Sequence, residues 1–149
     1  MALPTLPPDF SEFLRSLNAH GVEYLVVGGH AVGYHGFPRT TGDLDIWVAT
    51  TPENAARVAA TVREFGFESP LLEPGLFQRP DQVVRMGVPP LRIEILTTIS
   101  GVEFGVCYRA RAEVMVGDLA VPFIGLEHLR LNKRAAGRFK DLDDLEHLG

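Results

Sequence analysis

Asp43-Leu44-Asp45, at the head of the run DLDIWV, is the part of this sequence best suited to chemistry. Side chains alternate between the faces of a strand, so both carboxylates point to one side and Leu44 to the other. Two carboxylates side by side repel each other at neutral pH unless a cation sits between them. A divalent ion meets that need. Magnesium, with manganese as its substitute, prefers hard carboxylate oxygens and commonly takes one or two of them together with substrate phosphates. Glu94 stands between Ile93 and Ile95 in LRIEIL and, on an alternating strand, faces away from both. If that strand neighbours the Asp43 strand, three carboxylates converge. Such a cluster can hold two ions ~4 Å apart, clamping the attacking and leaving oxygens of a phosphoryl-type displacement. The competing reading is an acidic pair at a solvated strand edge, with Arg92 paired to Glu94 across a solvent face.

Gly28-Gly29 follows the apolar run EYLVV and precedes a short helical stretch from His30 to His35. That arrangement exposes backbone N–H groups and a helix N-terminus, which together suit a triphosphate. On its own it is also what an ordinary turn looks like.

These residues must be held by elements that the pattern outlines. Asp9 and Glu12 have capping-box spacing, with Asp9 as N-cap. Phe10, Phe13, Leu14 and Leu17 then follow at helical intervals up to Gly21. Glu23 to Val27 reads as a buried strand, Phe37 to Gly42 as a loop, and Asp43 to Val48 as a second strand. Thr51-Pro52 is an N-cap and N1 pair for a helix running to about Phe65. Gln82 to Met86 and Leu91 to Leu96 read as strands, and Glu113 to Val116 with Leu119 to Val121 as a hairpin about Gly117-Asp118. From about Leu126 the chain is helical, with Leu126, Leu129 and Lys133 near one face. A last helix is expected to cover Leu142, Leu145 and Leu148. The class is α/β or α+β: a mixed sheet flanked by helices, in a single domain spanning residues 1–149, with the helices of about 126–148 packed on it.

Composition narrows the functions available. The 149 residues suffice for one domain with a proper core. A formal charge of -5 excludes a strongly basic nucleic-acid binder, although a local basic face remains open. One cysteine, Cys107, excludes an internal disulfide framework or a Cys-rich zinc site. No signal peptide or membrane span is visible, so a cytoplasmic protein with no membrane association is expected.

Val26 to Val48 (VVGGHAVGYHGFPRTTGDLDIWV) resembles the nucleotidyltransferase-fold superfamily, to which DNA polymerase beta belongs. More narrowly it is similar to the minimal bacterial nucleotidyltransferases and the abortive-infection toxin nucleotidyltransferases. Their signature is a strand, Gly-Gly or Gly-Ser, a short helix, a polar loop, Asp-x-Asp entering a strand, and a third carboxylate on a later strand. Here these elements fall on Gly28-Gly29, Arg39-Thr40-Thr41, Asp43-Leu44-Asp45 and Glu94. The closing LNKRAAGRFKDLDDLEHL resembles the end of the same group. The resemblance implies that Asp43 and Asp45 bind magnesium and that Glu94 completes the site and helps activate an attacking hydroxyl. It implies that Gly28, Gly29, Arg39, Thr40 and Lys133 contact the nucleotide. Two positions depart from the common pattern: Gly29 stands where Ser is frequent, and Glu94 where Asp is commoner.

Other readings stay open beside it. Lys133, Arg134, Arg138 and Lys140 are either phosphate ligands or a solvated helix face balanced by Asp141, Asp143, Asp144 and Glu146. Arg39 either touches phosphate or acceptor or pairs with a nearby acid. His30 and His35 read as capping or packing residues, Trp47 as core or rim, and Cys107 as structural. The activity implied is transfer of a nucleoside monophosphate from a nucleoside triphosphate to RNA, protein or a small molecule. The partners expected are that triphosphate, tRNA or a protein as acceptor, an antitoxin-like protein, and a second copy of the chain. The rival is a fold that binds nucleotide or protein without turnover.

Overall fold

The apolar run Phe10, Phe13, Leu14 and Leu17 forms the buried face of helix α1 (Pro8–Ala19) in the computed structural model, which describes residues 6–37, 42–70, 72–87 and 91–148. The helix starts differently from the capping box expected. Pro8 opens it, where a missing N–H costs nothing, so Pro7 is the cap residue and Asp9 lies inside the first turn. There its charge complements the helix dipole.

A left-handed Gly21 (φ +69°) then leads the chain towards β1 (Tyr24–Val27), which is buried at every position. This strand is central. It pairs antiparallel with β2 (Asp43–Val48) and parallel with β6 (Leu119–Phe123). With β3 (Val83–Met86), β4 (Arg92–Leu96) and β5 (Ala112–Val116), the six-stranded mixed sheet runs β3-β4-β2-β1-β6-β5. The β5–β6 hairpin turns at Gly117-Asp118, as the sequence predicts, with Val116 opposite Leu119.

Helices α2 (Gly28–Tyr34), α3 (Pro52–Glu64), α4 (Phe104–Arg109), α5 (Leu126–Ala136) and α6 (Phe139–Leu148) complete the α+β architecture. A short 3-10 helix (Pro74–Gln78) and α4 are additions to the sequence reading, both too short to show a helical period. Burying the large side chains of the core, among them Trp47, Phe10, Phe13, Phe77 and Phe123, contributes roughly 1.5–3 kcal/mol apiece. Among the described residues, no helix is long and apolar enough to cross a membrane.

The last helix departs from its expected face. Leu142 is exposed and Leu145 half-buried, while Asp141, Asp144 and Leu148 point inward. Apolar spacing misleads here because the buried partner is a lysine of α5, described below.

Thr51 caps α3 as expected, its Oγ1 accepting from the Asn54 amide. Asn54 is itself a buried tie. Its Nδ2 donates to the carbonyls of Ala49 (2.8 Å) and Glu23 (3.0 Å), and its Oδ1 accepts from the Glu23 N–H (2.7 Å). It thus locks the end of β2 to the start of β1. Asn54→Ala removes three hydrogen bonds to backbone, leaves the buried Ala49 carbonyl without its amide donor, and should cost about 2–3 kcal/mol. A urea titration should show this as a lower midpoint at unchanged slope.

Candidate active site

β2 and β4 run parallel in the register Asp43↔Arg92, Leu44↔Ile93, Asp45↔Glu94. Leu44, Ile46, Ile93 and Ile95 are buried on one face of the sheet. The other face therefore carries Asp43, Asp45, Arg92 and Glu94 as a square of charges. The sequence pattern put the two aspartates on one face; the register brings Glu94 beside Asp45.

The Asp45 and Glu94 carboxyls are in hydrogen-bonding contact. Burial, then the charges of Glu94 and Asp43, push the Asp45 carboxyl up to about 6, against a small opposing pull from Lys140. Asp43 is placed differently. Both of its oxygens face the Arg92 guanidinium, with Nε–Oδ1 and Nη2–Oδ2 each 3.3 Å. Arg92 also stands 3.9 Å from Glu94 Oε1, and Arg85, opposite Glu94 on β3, donates to that same oxygen at 3.1 Å. The expected pairing of Arg92 with Glu94 is thus secondary to its hold on Asp43. Among the described residues, no group of three or more His, Cys, Asp or Glu side chains is arranged to hold one ion.

Gly28 is required where it stands. β1 ends with Val27 opposite Asp45, and the next residue takes φ +67°. A Cβ at Gly28 would overlap the Asp45 carboxylate, so only glycine lets this acid rest against the turn. Gly28 borders the cleft, while Gly29 is buried behind it.

The cleft measures about 550 Å³, within the ~300–1,000 Å³ usual for small-molecule sites. Asp43, Asp45 and Glu94 line one side of it, and Lys133, Arg138 and Lys140 of the α5–α6 region another. Lys133 is only 4% exposed, and its ammonium lies 3.2 Å from both Asp141 Oδ1 and Asp144 Oδ2. Arg138 Nε donates to Asp141 Oδ2 at 2.6 Å. Burial alone would raise the Asp141 carboxyl, but the hydrogen bonds from Arg138 and Lys133 outweigh it and hold it below the usual carboxylate range.

No protein-family model and no curated protein matches the sequence. Solved structures do. One is a presumed nucleotidyltransferase of Thermotoga maritima, with TM-score 0.64 and 18% identity, covering 92% of this chain and 88% of that one. Another is an antigenic nucleotidyltransferase-like protein of Paracoccidioides brasiliensis, with TM-score 0.55 and 15% identity, covering 93% and 72%. The chain has the nucleotidyltransferase fold. That is the fold which the resemblance of Val26 to Val48, with Glu94, implied.

On this fold Asp43, Asp45, Glu94, Gly28 and Lys133 all border one cleft. Arg39 and Thr40 lie outside the described residues. Sequence reasoning missed Arg85 as a partner of Glu94, and the inward-facing Asp141 and Asp144. The spacing of those two acids at i and i+3 on a helix was the available signal for the latter. Trp47 is core, set edge-on against Phe104 with its indole N–H towards the Thr97 carbonyl at 3.4 Å. His35 Nε2 meets the Ile124 carbonyl, and His30 packs edge-on against Phe10. Cys107 is buried, and its thiol is pushed up to about 11 by that burial.

A raised carboxyl binds its proton more tightly in the folded state, so stability falls as pH rises from about 4 to about 6. Asp45→Asn removes that penalty and should stabilise the protein by on the order of 2–3 kcal/mol at pH 7. The gain should vanish near pH 4, where both forms are neutral. Chemical denaturation at the two pH values would check this.

Proposed function

We propose that this protein transfers a nucleoside monophosphate from a nucleoside triphosphate to an acceptor hydroxyl. The observation that carries this reading is the contact between the Asp45 and Glu94 carboxyls beside Gly28, in the cleft of a nucleotidyltransferase fold. Two carboxyls in contact, one of them poorly solvated, call for a proton or a cation. Their hard oxygens suit magnesium or manganese, with Asp43 joining them once Arg92 releases it. When bound, the ion supplies Lewis-acid charge neutralisation and a more acidic attacking hydroxyl.

The residues of the chain do the rest. Gly28 lets the phosphates approach the backbone. The acceptor oxygen bonds to the α-phosphorus as the bond to the bridging oxygen breaks, and pyrophosphate leaves. Glu94 takes the hydroxyl proton, since its carboxylate stands beside Asp45 on the wall of the cleft, where the acceptor would lie. The basic wall offsets the charge that develops on the leaving group. The motifs shared with minimal bacterial and abortive-infection toxin nucleotidyltransferases favour tRNA or a protein as acceptor and an antitoxin-like partner. That step is analogy between folds.

One observation favours a second reading, nucleotide binding without turnover: Arg92 and Arg85 already occupy Asp43 and Glu94. Incubating the protein with labelled nucleoside triphosphates, magnesium, and total RNA or lysate separates the two. Transfer by the wild type, reduced about a hundredfold or more in Asp43→Ala/Asp45→Ala, is expected. Magnesium-dependent nucleotide binding with no transfer would establish the second reading instead. Neither binding nor transfer would remove both.

A further inference from the structure

The cleft is bordered by Arg85, Lys133, Arg138 and Lys140, and the first three are already committed. Arg85 is bound to Glu94, Arg138 to Asp141, and Lys133 to Asp141 and Asp144. Lys140 differs. It is exposed, it borders the cleft, and no ion pair joins it to a carboxylate among the described residues. Its charge nevertheless reaches Asp45, on whose carboxyl it exerts a stabilising pull.

The geometry of α6 accounts for this. Asp141 and Asp144 face inward onto Lys133, which ties α6 to α5. A residue one position earlier is turned about 100° around the helix axis. Lys140 is thereby carried off the buried seam and onto the wall of the cleft. Displacing Lys133 from its two acids would leave buried carboxylates without a partner, a heavy penalty for a ligand to meet. Lys140 has no such debt.

We propose that Lys140, rather than Lys133, is the residue that binds the polyphosphate chain of the nucleotide, and that Lys133 serves as the structural tie between α5 and α6. This inference rests on the nucleotide reading above and adds to it the cation that receives the phosphates. An ammonium is a compact point charge on a flexible stem, suited to following a phosphate chain as it enters and leaves.

The test is calorimetric titration of the full chain, in magnesium buffer at neutral pH, with ATP and separately with inorganic triphosphate. Lys140→Met should weaken both ligands by about tenfold or more, since a charge-assisted contact is lost. The melting temperature should stay unchanged, and Lys140→Arg should restore most of the affinity. Lys140→Met binding within about twofold of wild type would overturn the assignment while leaving the nucleotide reading intact. Binding that depends on Lys140, in a protein that transfers no label, would uphold the assignment and count against nucleotidyl transfer. A wild type that binds neither ligand would overturn both.

Discussion

Two carboxyl groups held side by side need a proton or a cation between them, and the parallel register of β2 with β4 creates that need at Asp45 and Glu94. A shift of one residue would turn Glu94 into the apolar face and bring Ile93 or Ile95 out. The buried isoleucines and Leu44 on the far side therefore hold the acids in place. Gly28 closes the third side, since any side chain there would take the space of the Asp45 carboxylate. The site is costly to the fold, and it borders a cleft of ligand size.

The surrounding charges answer to the same pair. Arg92 and Arg85, from β4 and β3, pair with Asp43 and Glu94. They form part of the same sheet face, so their positions follow from strand register without help from a loop. Arginine suits this place, because its planar fork can meet both oxygens of a carboxylate, as Arg92 does at Asp43.

On the opposite wall, the α5–α6 corner is held by an ion cluster rather than by apolar packing. Lys133 is enclosed by Asp141 and Asp144, and Arg138 adds a second cation to Asp141. Such clusters add little net stability compared with apolar packing, but removing one member is severe. What they provide is a defined angle between two helices joined at Gly137, which takes φ +66° at the end of α5. That angle decides which basic residues reach the cleft.

Much of this was legible in the sequence. The buried face of α1, the Thr51 cap, the alternation in DLDIWV and RIEIL, and the Gly117-Asp118 hairpin are local, and local sterics and periodicity determine them. The acidic inner face of α6 was not legible, because hydrophobic spacing alone assigns Leu142 to the core, and only a lysine on another helix, eight positions before Asp141, reverses that. Nor was the capture of Asp43 by Arg92, which needs the pairing of two strands nearly fifty residues apart. By itself the sequence determined the residue types able to do phosphoryl chemistry, the elements that carry them and the fold class. The tertiary structure decided which acids touch, which lysine is buried and which faces the cleft. Those outcomes depend on register and helix crossing, which no local pattern encodes.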